Sequence, residues 1–127
     1  MVRFLASMAV HNKRTLKQGD CKFAFIQATL PNSKLTIVKP PLGCPFSGPR
    51  SYWKLKKSLY SLCHAPCHWY KLISEILQSP EISLKPTKHD PCIFHGTILP
   101  GKPPLYLALY VDNFIFFSLD DDVEQYF

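Results

Sequence analysis

Acidic side chains are scarce in this chain of 127 residues: 9 Asp and Glu stand against 15 Lys and Arg. Four of the acids, Asp120, Asp121, Asp122 and Glu124, fall within five residues, so residues 1–119 hold 15 basic and only 5 acidic residues. Such a body suits a polyanion such as nucleic acid, and equally a solvated basic surface. Long apolar runs are also missing. The longest, Leu105 to Phe117, is broken by Asp112 and Asn113, short of the roughly 18 uninterrupted residues of a spanning helix, so no membrane partner is expected. No apolar signal core stands at the N-terminus. With five cysteines, an odd number, this points to a reducing, intracellular setting and no more specific location. Internal repeats and low-complexity tracts are absent. So are a G-x-S-x-G elbow, a P-loop and a Rossmann fingerprint.

What is present suits one packed domain. Hydrophobic residues make up 46%, aromatics 13% and charged residues 19%, which excludes a disordered polar tail. Twelve prolines predict short, interrupted elements. Val2 to Val10 reads as a helix with Leu5, Met8 and Ala9 on one side, and its start almost at Met1 hints at a truncated beginning. Thr15 to Ile26 has strand character, and Pro31-Asn32 signals a turn. Leu35–Lys39 and Tyr52–Lys57 read as strands flanking a Pro- and Gly-rich loop at 40–49. Trp69, Leu72, Ile73, Ile76 and Leu77 recur at helical spacing, with Pro66 near the start and Pro80 beyond the end. Ser79 to Pro91 reads as a loop, followed by a β-rich Pro91–Ile98 and a turn at Leu99-Pro100-Gly101. Leu105–Phe117 has two apolar arms around Val111-Asp112-Asn113, the pattern of a β-hairpin. The expected class is α+β, an antiparallel sheet with helices packed on one face.

The hairpin tip carries the chemistry. Apolar arms anchored in a core hold Asp112 in a fixed place, as a hard divalent cation requires. A second carboxylate from a distant strand would complete a site for phosphoryl transfer. Asp20 qualifies, because it precedes the apolar Ala24-Phe25-Ile26. The alternative is that Asp112 and Asn113 are ordinary turn residues.

Four strings in order then carry a resemblance. Tyr110-Val111-Asp112-Asn113 resembles the YVDD box of reverse transcriptases. Gln18-Gly19-Asp20-Cys21-Lys22-Phe23-Ala24-Phe25 resembles D-x-K-x-A-F. Leu55 to Tyr70 resembles L-K-K-x-L-Y-G-L-x-x-A-P-R-x-W-Y, and Asp90-Pro91-Cys92-Ile93-Phe94 resembles D-P-C-x-F. Together they resemble the reverse transcriptases of copia-type retrotransposons over nearly the whole chain. The resemblance implies a palm with part of the fingers across residues 1–127, without thumb, ribonuclease H domain or the rest of a Pol polyprotein. It implies Asp20 and Asp112 as ligands of catalytic Mg²⁺ or Mn²⁺. Phe25 would gate the sugar 2′-position, with Tyr60 and Ser61 beside the nascent base pair. Lys54, Lys56 and Lys57 would meet phosphates. The implied partners are an RNA or DNA primer–template and deoxynucleotides.

Three departures accompany the match. Asn113 replaces the second hairpin Asp, a neutral amide for a carboxylate. Ser61 replaces Gly, adding a side chain where backbone approaches substrate. Cys67 replaces Arg, removing a phosphate or carboxylate partner. Together with the missing fingers residues and thumb, they predict a degenerate copy that does not polymerise DNA, or a basic remnant that only binds nucleic acid. Cys63, His64, Cys67 and His68 raise zinc as another reading, but no second pair has recognised spacing. Tyr60 and Trp69 could stack on bases or simply pack. His89 and His95 read as ordinary loop or strand residues.

Overall fold

Leu105–Phe117 folds, in a computed structural model, as the hairpin its pattern predicts. β6 (Leu105–Tyr110) and β7 (Asn113–Ser118) pair from Leu105 opposite Ser118 to Tyr110 opposite Asn113. The structure describes residues 2–33, 35–45, 48 and 51–127. They form two compact units, residues 1–22 with 70–127, and residues 23–69.

In the first unit β1 (Lys17–Asp20) joins the free edge of β7, and β5 (Ile93–Gly96) and β4 (Lys85–Pro86) extend the other side. The antiparallel sheet runs β1-β7-β6-β5-β4. Its central strands are apolar at odd and even positions alike, so both faces need cover. Leu105, Leu107, Leu109 and Phe116 share one core with Leu77, Leu84, Phe94 and Val123. Ala108, Phe117 and Ile93 share another with Leu5 and Ala9. The expectation of helices on one face is corrected accordingly. α1 (Val2–His11) covers one side. The 70–77 part of α3 (Ala65–Leu77) and α4 (Asp121–Tyr126) cover the other. The α+β class stands. No helix among the described residues is long and apolar enough to cross a membrane.

α4 lies in the acidic run, where no element was expected. Asp120 caps it by accepting from the Asp122 N–H at 2.9 Å, and Asp121, Asp122 and Glu124 favour its positive N-terminal end. β4 likewise falls inside the expected 79–91 loop. The helical stripe is shifted slightly: Trp69 and Leu77 are buried but Ile76 is exposed.

The second unit contains α2 (Ala24–Gln27), β2 (Ile37–Val38) and β3 (Trp53–Lys54). Residues 23–26 were expected to be extended. Instead β1 reaches the end of its partner at Asp20 opposite Asn113, and Phe23 adopts a left-handed conformation (φ 57°) that turns the chain into a short helix. The two expected strands at 35–39 and 52–57 shorten to β2 and β3, which pair Ile37 with Lys54 and Val38 with Trp53. Beyond β3 the chain turns to a different partner: Lys57 bridges Thr29, and the Ser58 N–H donates to the Ala28 carbonyl at 2.9 Å. Phe46, Ser47 and Pro49 of the expected loop lie outside the described residues.

Candidate functional site

The hairpin turn is two residues, Val111 and Asp112. Such turns need positive φ, which Asn, Asp or Gly supply cheaply. Here Val111 adopts φ 58°, a strained conformation for a β-branched residue, at a cost on the order of 1–3 kcal/mol. The surrounding pairing holds it there. Tyr110 faces Asn113 across the turn, and Asn113 also faces Asp20 of β1. The Cys21 N–H donates to the Asp112 carbonyl at 2.7 Å, tying the end of β1 to the turn. Gly19 makes this approach possible, since a Cβ there would sit 2.2 Å from the Phe114 ring.

Asp20, Asp112 and Asn113 therefore meet at one end of the sheet, although 92 residues separate the first two. Asp20 is exposed and Asp112 half-buried. The Cys21 thiol registers both carboxylates: burial first, then the charges of Asp20 and Asp112, raise its pKa. The Asn113 Nδ2 donates to Asp112 Oδ1 at 3.0 Å, so the amide engages an oxygen that a cation would use. Among the described residues, no three His, Cys, Asp or Glu converge to hold a metal by themselves. This applies to Cys63, His64, Cys67 and His68 as well. Two carboxylates still fit a magnesium ion that takes its remaining ligands from water and substrate phosphates.

The other expected residues lie in the second unit. Phe25 and Tyr60 touch edge-on, with ring centroids 4.9 Å apart. Ser61 follows Tyr60 at φ 72°. That left-handed conformation is the physical reason a glycine suits the position, a constraint that side-chain crowding alone did not reveal. Lys54, Lys56 and Lys57 are exposed, beside exposed Tyr52 and Trp53. Residues 23–69 contain six Lys or Arg and no Asp or Glu. Sequence reasoning passed over Glu124. Its side chain is only 6% exposed, it pairs with Lys17 at 3.1 Å, and it accepts from the Ser118 N–H at 2.8 Å. The signal available was slight: an acid directly following apolar Val123 in the short run 121–126.

Comparison with known proteins gives the family. The family described as "Reverse transcriptase (RNA-dependent DNA polymerase)" matches residues 1–125. The chain is similar to the retrovirus-related Pol polyprotein from transposon TNT 1-94 of Nicotiana tabacum, 30% identical over 94% of this chain and 9% of that protein. It is 29% identical to the corresponding polyprotein from transposon RE1 of Arabidopsis thaliana, over 90% of this chain and 7% of the relative. The polyprotein from transposon RE2 of the same plant is 25% identical over 90% of this chain and 8% of its own length. The chain thus spans less than a tenth of each relative. No solved structure matches it.

Proposed function

The chain belongs to the reverse transcriptase family, and we propose that it carries the metal-binding corner of a polymerase palm, with residues 23–69 as part of the fingers. One observation carries this reading: the Cys21–Asp112 backbone bond and the Asp20–Asn113 pairing bring two distant carboxylates to one turn. Asp20 and Asp112 would hold Mg²⁺ or Mn²⁺. Such an ion, when bound, lowers the cost of charge developing on phosphoryl oxygens during nucleotidyl transfer. Phe25, packed on Tyr60, would exclude a 2′-hydroxyl from the incoming sugar. Lys54, Lys56 and Lys57 would neutralise nucleic-acid phosphates without reading sequence.

In this form the corner does not support nucleotide addition. Asn113 supplies no charge and directs its amide N–H toward Asp112. Lost electrostatic stabilisation of this kind raises a barrier by several kcal/mol. Ser61 and Cys67 remove two further features of the family pattern. A primer-extension assay on this chain, on Asn113→Asp and on Asp112→Ala tests the reading. Extension is expected from none of the three at a useful rate, except for a gain in Asn113→Asp if the amide is the dominant defect. Template-dependent incorporation by the unmodified chain that Asp112→Ala abolishes would overturn the claim of inactivity.

The acid-free stretch of residues 23–69 favours a second reading, a basic surface that binds nucleic acid without catalysis. Its mark is an affinity that falls steeply with salt. Binding that ignores salt, or fails at low salt, would refute it.

A further inference from the structure

β1 carries Asp20, yet little in β1 itself fixes its place. It is an edge strand of four residues, Lys17-Gln18-Gly19-Asp20, none of them buried. Register in a polar, glycine-containing strand is weakly specified, because no apolar set is lost to solvent when it slips. Something outside the strand must hold it. The supports come from the chain around α4. The Glu124 carboxylate, buried against the sheet, accepts from the Ser118 N–H at 2.8 Å through one oxygen. Its other oxygen pairs with Lys17 Nζ at 3.1 Å. Ser118 is the last residue of β7 and Lys17 the first of β1. One carboxylate therefore spans the two strands at the end opposite the hairpin turn. Arg14 reinforces the same corner, donating through Nε to the Ser118 carbonyl at 2.7 Å and through Nη2 to Asp121 at 2.8 Å.

We infer that Glu124 is a positioning residue: it locks β1 against β7 and so keeps Asp20 beside the Val111–Asp112 turn. The inference rests on reading Asp20 and Asp112 as the metal pair. The burial of Glu124 gives it leverage, since a half-exposed lysine facing an exposed acid would contribute little. Its two oxygens are divided between strands, so its loss frees both.

Amide exchange followed by NMR on the full chain tests it, with Mn²⁺ binding as a separate arm. The Cys21 N–H reports the seating of β1, because its acceptor is the Asp112 carbonyl. In Glu124→Ala its exchange should quicken at least about tenfold, the loss expected when hydrogen bonds to a charged acceptor disappear. In Glu124→Gln, which keeps an acceptor for Ser118, it should quicken about two- to threefold. The Ala9 amide in α1 should not change, and nuclear Overhauser contacts between Asp20 and Asn113 should weaken in step with Cys21. Mn²⁺ affinity should fall in the same order, and Asp20→Asn should abolish it. Unchanged Cys21 exchange in both variants, or equal acceleration at Ala9, overturns the positioning role. So does faster exchange with Mn²⁺ affinity intact. If Glu124→Ala does not fold, Glu124→Gln decides. An unmodified chain that binds no Mn²⁺ defeats the metal reading instead, and Cys21 exchange with the Asp20–Asn113 contacts then decides the positioning role.

Discussion

At three single positions the backbone conformation or the packing, and not the residue type, sets the energy. Ser61 sits at φ 72°, where glycine is at ease, so Ser61→Gly should stabilise the chain by about 1 kcal/mol, read from denaturant unfolding. Gly19 lies under the Phe114 ring, with 2.2 Å available to a Cβ. Gly19→Ala should therefore destabilise by about 1–3 kcal/mol, through displacement of Phe114 or of β1. The Ser58 hydroxyl is fully buried and has no hydrogen-bond partner among the described residues. Replacing an orphaned hydroxyl removes a desolvation cost of about 1–3 kcal/mol at the price of a small void, so Ser58→Ala should be neutral or stabilising. A clear loss of stability in Ser58→Ala would show that the hydroxyl has found an acceptor in solution. None of these effects is legible from residue type alone. A Ser in a turn and a Ser in a core are written with the same letter.

At the scale of elements, α4 is held by Val123, fully buried in the core, and by ion pairs at its N-terminal end. Lys102 Nζ reaches Asp120 at 2.8 Å and Asp122 at 2.9 Å. The hydrogen bond from Lys102 is the leading cause that lowers the Asp120 pKa below its ordinary value. Asp120 is also the helix cap. A carboxyl whose folded pKa is depressed binds fewer protons folded than unfolded. Its contribution is therefore complete above the ordinary Asp range and is lost as pH falls through the lowered folded value. Lys102, whose pKa is raised by the same partners, stays charged throughout that window. α4 should consequently loosen in acid before the central strands do. Amide shifts of residues 121–126, followed from neutral pH downward, should move earlier than those of β6. Simultaneous movement would show that Val123 burial outweighs the ion pairs. The periodic elements α1, α3 and the hairpin were readable because their spacing encodes a buried stripe. α2, β4 and α4 were not, because helices of four and six residues span fewer than two turns and show no repeated stripe, and β4 is only two residues long. They form where the surrounding chain offers a cap or a partner.

Across the whole molecule, charge is segregated more sharply than the net value of +6 suggests. The acids near the C-terminus are matched by Arg14, Lys17 and Lys102. Residues 23–69 keep their positive charge with no acid among them. If that surface meets single-stranded nucleic acid, each phosphate neutralised contributes about 0.7 to the slope of log affinity against log salt. Replacing Lys54, Lys56 and Lys57 together with Gln should lower the slope by about 2 if all three make contact. Filter binding or fluorescence anisotropy across a salt series would measure it, and an unchanged slope would take these lysines out of the interface.

From the order of residues alone come the family, the α+β class, the hairpin, and Asp20 and Asp112 as a candidate pair. Those rest on local patterns: alternating apolar arms, a turn with Asp, and contiguous strings such as Leu55-Lys56-Lys57-Ser58-Leu59-Tyr60. The folded chain adds that Asp20 lies opposite Asn113, that both faces of the sheet are covered, and that Glu124 ties β1 to β7. The physical reason is range. Propensity and periodicity act over a few residues, whereas strand order, register between segments some 90 residues apart and the burial of one carboxylate depend on which distant surfaces meet, and no local pattern specifies that pairing.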